Sequence, residues 1–232
     1  NRKTMKTPKM PLILFIANIA VIAIVLVSGF KVSQWHAESV AGRIKANLLQ
    51  QTVDIAGAIN PAMVRQLTFT AEDSINPVFQ RIQKQLRASK IIFKNKGIYT
   101  MKLIDGEFRF GPETYEPGSP LASPPGTLYE SPTAFDYEVY NNVKPGVNGP
   151  ATDEYGSFIS ALAPVTDPRT GEVLMVVGID IPTDEYYTEL RNSKKIPHLL
   201  ILLSMILITL GFANIVLKKL VKKYVSSFYM TI

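Results

Sequence analysis

Two long apolar runs dominate the pattern of hydrophobic and polar positions along the chain. The first extends from Pro11 to Phe30 and the second from Leu199 to Leu217, and small polar side chains interrupt each of them only two or three times. Each run has roughly the 20 residues that a helix needs to cross the hydrocarbon core of a bilayer. A helix satisfies its own backbone polar groups there. We therefore expect membrane-spanning helices at 11–30 and 199–217.

After the first run, the apolar pattern has the period of an amphipathic helix that continues from Lys31 to Ile59. Apolar side chains recur there at spacings of four, four, seven and four residues, which places them on one helical face. This stripe can pack on the rest of its own domain or on a second copy of the chain. Its members are Val40, Ile44, Leu48, Ile55 and Ile59.

Two Asn-Pro pairs follow, and each predicts the start of a further helix. In Asn60-Pro61 and in Asn76-Pro77, asparagine suits the N-cap position and proline suits the first helical turn, where its missing N–H costs nothing. Two helices are therefore expected between the long helix and the segment that begins at Ile98.

From Ile98 onward the pattern indicates β-structure. Residues 98–104 and 107–110 read as a hairpin joined by Asp105-Gly106, a pair that accepts the positive φ angles of a two-residue turn. A second strand pair, 158–165 and 173–181, is rich in β-branched residues and suits a central position in a sheet.

The remaining parts of the middle segment are a long loop and a last helix. The stretch from Gly111 to Pro150 is rich in proline and glycine, so we expect it to be mostly irregular; loops of that length are often functional. After Pro182, the acidic pair Asp184 and Glu185 suits the positive end of a helix that leads toward the second apolar run.

The charge distribution indicates a membrane topology. The chain has a formal net charge of +6, but eight of its basic residues flank the apolar runs, four before the first and four after the second, with no acidic residue among them. The segment between the runs holds 17 basic and 19 acidic residues, so the excess is not a nucleic-acid-binding surface. Positive flanks stay in the cytoplasm, where anionic lipid attracts them.

These observations predict a two-pass protein of the cell (inner) membrane with both termini in the cytoplasm. The expected segments are a cytoplasmic flank at 1–10, a span at 11–30, an extracytoplasmic domain at 31–198, a span at 199–217 and the start of a cytoplasmic signalling helix at 218–232. The first run exceeds the usual length of a signal-peptide core. We expect a retained anchor, although Val27-Ser28-Gly29 leaves cleavage open. The sequence is expected to be a fragment, because it does not begin with Met.

Three stretches together resemble a known family of sensor domains. They are Leu67 to Leu86 (LTFTAEDSINPVFQRIQKQL), Ser123 to Tyr129 (SPPGTLY), and Thr152 to Val165 (TDEYGSFISALAPV) with Gly171 and Gly178 to Ile181 (GIDI). In this order the chain resembles, over roughly 31–190, the extracytoplasmic PAS-like domains called Cache or PDC domains, in the single-domain form found on membrane histidine kinases and diguanylate cyclases.

The resemblance implies an α+β fold, in which a long N-terminal helix packs behind a five-stranded antiparallel sheet whose other face and loops bind a small ligand. The family often has an aromatic residue before the glycine of the third stretch, and Tyr155 occupies that position here. The arginine-rich signature of the family's dicarboxylate-binding members is not recognised, which leaves the chemical class of the ligand open.

Nine side chains are candidates for ligand binding, because they are aromatic or polar and lie near the predicted sheet centre. Strand alternation puts Tyr99 and Met101 on one face, and likewise Phe108 and Phe110, without telling which face is the core. Asp180 either contacts the ligand or caps the helix after Pro182. The nine candidates are Tyr99, Met101, Phe108, Phe110, Tyr129, Tyr155, Ser157, Ser160 and Asp180, and part of the set is equally compatible with a core.

The sequence offers little for catalysis, and we expect no catalytic residue, metal or cofactor in this chain. Its two histidines, His36 and His198, both adjoin the predicted spans, away from any cleft where a nucleophile or zinc site would form. The alternatives are a carboxylate pair for glycoside hydrolysis or weak calcium binding in the loop region. Solvated loop charges explain the same residues, which are Asp136, Glu138, Asp153 and Glu154.

The function predicted from the sequence is that of a transmembrane sensor module. It would bind a small extracytoplasmic ligand and signal to a cytoplasmic output, most simply a histidine kinase of a two-component system. The alternatives are a diguanylate cyclase, a chemotaxis transducer or, in a different class, a membrane-tethered extracytoplasmic enzyme. A homodimer is expected, with the helix 31–59 and the spans as its interface.

Overall fold

The computed structural model describes residues 9–93 and 97–229, and these residues form two compact units. One unit contains the residues up to Val40 and those from Leu190 onward, and the other extends from Ala41 to Glu189. Their helices are α1 (Lys9–Ala58), α2 (Pro61–Val64), α3 (Pro77–Phe93), α4 (Ala134–Asn142), α5 (Thr183–Ser193) and α6 (Lys195–Tyr229), with a 3-10 turn at Ala71–Ile75. The strands are β1 (Ile98–Ile104), β2 (Glu107–Phe110), β3 (Gly146–Asp153), β4 (Gly156–Thr166) and β5 (Val173–Pro182).

The strands form one antiparallel sheet in the order β2-β1-β5-β4-β3. The predicted fold class is therefore confirmed: a five-stranded antiparallel sheet with a long N-terminal helix. Both predicted hairpins are present, and Asp105 and Gly106 have φ angles of 50° and 85°, as a two-residue turn of this kind requires. The last strand in sequence, β5, lies at the centre of the sheet.

The helix starts at both Asn-Pro pairs are also confirmed. Asn60 accepts a hydrogen bond from the N–H of Ala62, and Asn76 accepts one from the N–H of Val78, so each asparagine caps the helix that its proline begins. The region 111–150 contains two elements beyond the expected irregular chain. Helix α4 begins with a capping box formed by Thr133 and Asp136, and β3 pairs with β4 along the sheet edge.

The register of the strands assigns the two faces of the sheet. Met101 lies opposite Phe110, and Leu103 lies opposite Phe108. The alternating side chains whose face the sequence left open, Met101 on β1 and Phe108 and Phe110 on β2, therefore share one face of the sheet. On this face, Met101 and Phe108 are fully buried and pack with Val139 of α4. We call it the α4 face.

The opposite face of the sheet is apolar and packs on the helices that precede it in the chain. Helix α2 contacts β5 and helix α3 contacts β1. These helices help to shield the side chains of this face from solvent. Its fully buried apolar members include Ile98, Ile159, Ala161, Met175, Val177 and Ile179. We call it the helix face.

Much of the amphipathic stripe on α1 packs on its own domain, one of the two alternatives that the sequence left open. Leu48, Ile55 and Ile59 are each only 2% exposed in the single chain, and the Lys45 ammonium donates a hydrogen bond to the carbonyl of Gly149 in β3. These three side chains are covered by the protomer itself, and a homodimer with α1 and the spans at its interface stays a prediction.

The other unit is formed by two apolar helical segments. The helices that contain them are long and apolar enough to cross a membrane, by length and composition, and their apolar side chains are exposed, as shown by Ile24 (64%) and Leu207 (69%). Such a surface is unfavourable in water and suits lipid. Within this unit Ile201 packs against Gly29, and Ser33 is hydrogen-bonded to His198, with 3.2 Å between Oγ and Nε2.

Candidate functional site

The α4 face carries a small cavity of about 30 Å³ that opens to solvent. A second lobe, also of about 30 Å³, shares Tyr99, Tyr129, Asp153 and Phe158 with the first. In this conformation each lobe has room for about one or two water molecules, and its open side is the way in for a larger molecule. The first lobe is lined by Tyr99, Phe110, Glu113, Tyr115, Leu121, Ser123, Tyr129, Asp153, Tyr155, Phe158 and Asp180, and the second adds Thr133, Phe135, Asp136, Asn148, Ala151, Thr152 and Ser160.

Phe110, on β2, is the centre of an aromatic cluster in the first lobe. Its ring lies edge-on to three tyrosine rings, with centroid distances of 6.0 Å to Tyr99, 5.7 Å to Tyr129 and 5.7 Å to Tyr155. These separations are those of favourable edge-to-face aromatic pairs. The hydroxyl of Tyr155 also forms a 2.8 Å hydrogen bond with that of Ser123, which joins the 111–133 segment to the start of β4.

Tyr99 reaches the central strand because Gly178 leaves room for it. The two residues lie opposite each other in the pairing of β1 with β5, and a Cβ atom on Gly178 would overlap the Tyr99 ring. The hydroxyl of Tyr99 donates a 3.3 Å hydrogen bond to Oδ1 of Asp180. Gly178, the glycine of the GIDI stretch, is therefore required because the Tyr99 side chain crosses it.

Two carboxyl groups in the first lobe carry strongly shifted pKa values. Burial raises the pKa of Asp180 to about 7. The hydrogen bond with Ser160 lowers this pKa, whereas the nearby charge of Asp153 raises it further. Burial also raises the pKa of Glu113 to about 7, although the backbone N–H of Ser123 donates a hydrogen bond to it. Loss of water around a carboxylate disfavours its charged form.

Two further carboxylates of the cavity are used to hold the chain around it. Asp153 accepts hydrogen bonds from the N–H groups of Tyr155 and Gly156 through Oδ1, and from the Tyr129 hydroxyl through Oδ2. Asp136 accepts bonds from the N–H and the hydroxyl of Thr133. Both carboxylates thereby hold in place the turns next to the aromatic side chains.

The structure brings together six of the nine predicted site residues. Tyr99, Phe110, Tyr129, Tyr155 and Asp180 line the first lobe. Ser160 lines the second, and it lies opposite Asp180 in the pairing of β4 with β5. The ligand-binding role of these six side chains stays a prediction.

The other three predicted residues lie elsewhere. Met101 and Phe108 belong to the core of the α4 face and are fully buried, in agreement with the alternative that part of the set is core. Ser157 is exposed and its hydroxyl lies 2.6 Å from that of Thr152. Strand alternation turns Ser157 away from its neighbour Phe158, which lines the cavity.

Several residues that line the cavity were not predicted from the sequence. Glu113, Tyr115 and Ser123 lie in the proline-rich stretch after β2, where no periodicity assigns a direction to side chains. Gly97 precedes β1, and its lack of a side chain accommodates the Tyr115 ring, as Gly178 accommodates Tyr99. That relation becomes visible only when the fold is known.

Four of the six groups considered for catalysis are engaged in structural contacts. His198 is bonded to Ser33 in the unit of apolar segments, and Glu154 accepts a hydrogen bond from the N–H of Glu130. Asp136 and Asp153 hold local turns, as described above. Among the residues that the structure describes, no group of three or more His, Cys, Asp or Glu side chains is arranged to hold a metal ion.

No family model and no curated protein matches the chain, whereas several solved structures do. The solved structures that it resembles are sensor domains. They include the ligand-binding domain of the Campylobacter jejuni chemoreceptor Tlp3 in complex with 4-methylisoleucine, at a TM-score of 0.43 and 16% identity over 83% of this chain and 66% of that one. The sensor domain of the V. cholerae histidine kinase DctB gives a TM-score of 0.45 and 9% identity over 76% of this chain and 60% of that one.

A third solved structure, the ligand-binding domain of the Pseudomonas fluorescens chemoreceptor CtaA in complex with L-alanine, gives a TM-score of 0.32 and 17% identity over 73% of this chain and 61% of that one. The chain thus spans about two thirds or less of the lengths of these domains. They are sensor domains, the class that the sequence resemblance named. No ligand, output or partner is taken from them, because the similarity is too low to carry one over.

Proposed function

We propose that this chain is the sensor module of a membrane receptor, and that its cavity binds a small extracytoplasmic molecule. The observation that carries the proposal is the cavity itself: aromatic, polar and acidic side chains from β1, β2, β4 and β5 converge on one face of the sheet, whereas the buried side chains of the other face are mostly apolar. A structural scaffold would fill such a space with apolar side chains. A binding site keeps it open and lines it with a few polar groups.

The covalent path from the cavity to the second apolar segment supports a signalling role. Asp180 lies on β5, which ends at Pro182 and is followed at once by α5 (Thr183–Ser193). Only Lys194 separates α5 from α6, the helix that contains the second apolar run. A ligand that binds two arrangements of β5 with different affinity shifts the population between them, and α5 passes this shift to the span.

We propose the topology that the charges predict, with the cavity outside the cell membrane and both termini in the cytoplasm. The chain has no cysteine, so single cysteines report their own location. Lys144→Cys, at an exposed position after α4, should react with a membrane-impermeant maleimide in intact cells. Lys222→Cys is the matched control, and it should react only after lysis. Labelling of Lys222→Cys but not of Lys144→Cys in intact cells would reverse the topology.

A homodimer and a histidine-kinase output complete the proposal. Two-pass receptors of this kind generally signal as pairs, and the apolar helices offer an exposed surface for association through lipid-facing segments. A diguanylate cyclase or a chemotaxis transducer is the alternative output. Identification of the cytoplasmic domain that accompanies this segment in the intact protein separates these outputs, and crosslinking in membranes tests the dimer.

The binding function is tested by melting the full 232-residue chain in lipid nanodiscs against a panel of small metabolites. A ligand of the folded state adds about 2.7 kcal/mol of stability at a hundred times its Kd, which is a shift of several degrees in Tm. Mass spectrometry of the same samples separates a sensor from a tethered enzyme, since a sensor returns its ligand unchanged. A panel without any Tm shift would contradict the proposal, and conversion of the compound would replace it with catalysis.

A further inference from the structure

We infer that the cavity takes a small organic cation, an amine or a quaternary ammonium, and this inference rests on the proposed ligand-binding function. The ionisable side chains that line its two lobes, tyrosines aside, are all acidic: Glu113, Asp136, Asp153 and Asp180. None of the described residues that line either lobe is Lys, Arg or His. A ligand with a carboxylate would enter a site of its own sign, which costs several kcal/mol.

The basic side chains nearest in sequence are turned away from the cavity. Lys102 follows Met101 in β1, and strand alternation sends it to the helix face, where its ammonium lies 5.8 Å from the centre of the Phe69 ring. Arg109 precedes Phe110 in β2 and donates a 2.8 Å hydrogen bond to Glu107. The bases of β1 and β2 therefore lie away from the cavity, whereas Asp153 of β3 and Asp180 of β5 line it.

The aromatic cluster provides the second element that an organic cation requires. Phe110 and the three tyrosine rings around it surround part of the first lobe, and the faces of such rings attract ammonium groups, most strongly where water is excluded. Burial raises the pKa values of Tyr99 and Tyr129 above their usual range. Their hydroxyls thus stay protonated and neutral.

The carboxylates differ in how free they are to bind a ligand. Asp153 and Asp136 accept hydrogen bonds from backbone N–H groups that hold turns in place. Asp180 instead accepts from the hydroxyls of Tyr99 and Ser160, and the 3.3 Å bond from Tyr99 is long for a hydroxyl donor. Hydroxyl groups can rotate toward another acceptor, so Asp180 is the carboxylate that can exchange a partner for an ammonium.

The geometry fits an organic cation better than a metal ion. A metal needs several ligands within about 2.6 Å of one point, and the acids of this cavity do not converge in that way, since no group of three or more potential metal ligands is found among the described residues. An ammonium carried on an organic frame can meet one carboxylate at a time while its methyl or methylene groups contact the aromatic rings.

The inference predicts a characteristic pH dependence. The groups that face Asp180 are Tyr99, Ser160, Tyr115, Asp136 and Asp153, so its surroundings contribute no positive charge to hold its pKa down. A bound ammonium favours the ionised carboxylate, and binding therefore tightens as pH rises. For a group with a pKa of about 7, the ionised fraction rises about tenfold between pH 6 and pH 8.

Glu113 contributes in the same direction, because its pKa also lies at about 7. The ionisable groups that face it are Tyr115 and Tyr155, whose own pKa values its charge raises. A carboxylate ligand would behave in the opposite way: it would need Asp180 and Glu113 protonated and would bind more weakly as pH rises.

The test compares four probes with the full chain in nanodiscs at pH 6 and pH 8, by Tm and by titration calorimetry. Choline is the cation, 3,3-dimethyl-1-butanol is its neutral isostere, butyrate is the anion and calcium chloride is the metal. We expect choline to raise Tm and its Kd to fall by about tenfold from pH 6 to pH 8. The neutral isostere should give at most a small shift at both pH values.

Three variants assign the effect to the cavity. Asp180→Asn keeps the shape of the side chain and removes its charge, so we expect it to abolish the shift in Tm caused by choline; Glu113→Gln should reduce it. Glu116→Gln is the matched control, because Glu116 is exposed in the same segment as Glu113 and does not line the cavity. It should retain the binding of the unmodified chain. Circular dichroism confirms that each variant is folded.

The outcomes separate the inference from the function on which it rests. A shift caused by butyrate or calcium but not by choline would overturn the cation and leave a ligand-binding site in place. Binding of choline that is equal in Asp180→Asn, or that does not change with pH, would also overturn it. If none of the four probes binds, the cation is wrong. If the wider metabolite panel is silent as well, the sensor function fails with it.

Discussion

The two faces of β5 differ in the side chains that they carry and in what surrounds them. Val177 and Ile179 point to the helix face and are fully buried among apolar groups. Gly178 and Asp180 point to the α4 face, where one makes room for an aromatic ring and the other presents a carboxylate to the cavity. A single strand at the centre of the sheet thus carries both the core and the candidate site.

The difference shows how stability and binding are divided. The helix face buries apolar side chains such as Val177 and Ile179, and each of them gains stability from burial. The α4 face keeps unfilled space and buried carboxylates, both of which cost stability. Substitutions on the helix face should therefore lower stability, whereas substitutions around the cavity should change ligand binding and its pH dependence.

The largest effect is expected from Ile179→Ala, on the helix face. Removal of most of a fully buried side chain leaves a cavity and should lower the free energy of unfolding by about 2–5 kcal/mol. Denaturant unfolding measures this. A loss below 1 kcal/mol would show that this face is not packed as the structure describes.

Gly178→Ala should produce the next largest effect, because the new methyl group overlaps the Tyr99 ring. Overpacking of this kind costs about 1–3 kcal/mol, and displacement of Tyr99 should also remove the ligand-induced shift in Tm. Gly57→Ala in α1 is the matched control, since a Cβ atom there meets nothing within 4 Å. It should be neutral or stabilising by up to about 1 kcal/mol. Equal behaviour of the two variants would contradict the packing of Tyr99 on β5.

Asp180→Asn should have a smaller effect on stability, and one that depends on pH. Because the folded-state pKa of Asp180 is about 7, above its unfolded value, the folded chain holds this proton at pH values where the unfolded chain has lost it. The contribution of Asp180 to stability is therefore fully present below the unfolded pKa and is lost as pH rises through about 7.

The ligand-free chain should consequently melt at a lower temperature at pH 8 than at pH 5, and this difference should be smaller in Asp180→Asn. Glu113, with the same direction of shift, should account for a remaining part of the slope. Melting curves between pH 5 and pH 8 measure both. A variant with the same slope as the unmodified chain would show that Asp180 does not titrate in this range.

Ser157→Ala should have the smallest effect of the series. Ser157 is exposed and pairs with Thr152 at the edge of the sheet, outside the cavity, so its loss should change stability by no more than about 0.5 kcal/mol. Ligand binding should be unchanged. A loss of binding in this variant would show that Ser157 belongs to the ligand-binding site, as the sequence predicted.

Local patterns were sufficient to predict most elements of the fold. The Asn-Pro pairs, the Asp105-Gly106 turn and the alternation in β4 and β5 each depend on chemistry within a few residues, and each corresponds to an element in the structure. Helix α4 was missed because its capping box uses aspartate where the usual pattern has glutamate or glutamine. Strand β3 was missed because its glycines and proline hide the alternation, and its pairing with β4 is a backbone interaction.

The candidate site was only partly predictable, since it depends on contacts between distant segments. Alternation predicted that Tyr99 and Met101 share a face, and that Phe108 and Phe110 do. The position of each residue along its strand decides which of them lines the cavity. Tyr99 and Phe110 line it, whereas Met101 and Phe108 lie under α4. The stripe on α1 left two alternatives open for a related reason, because periodicity identifies a buried face without identifying what buries it.

The central claim is that occupancy of the cavity changes β5 and the helix that follows it. Hydrogen exchange of the full chain in nanodiscs, with and without saturating choline at pH 8, tests this claim most directly. We predict that choline slows exchange in peptides from β5 and α5, residues 173–193, and that this protection is absent in Asp180→Asn. Exchange that is unchanged in these peptides, or slowed to the same extent in the variant, would contradict the account.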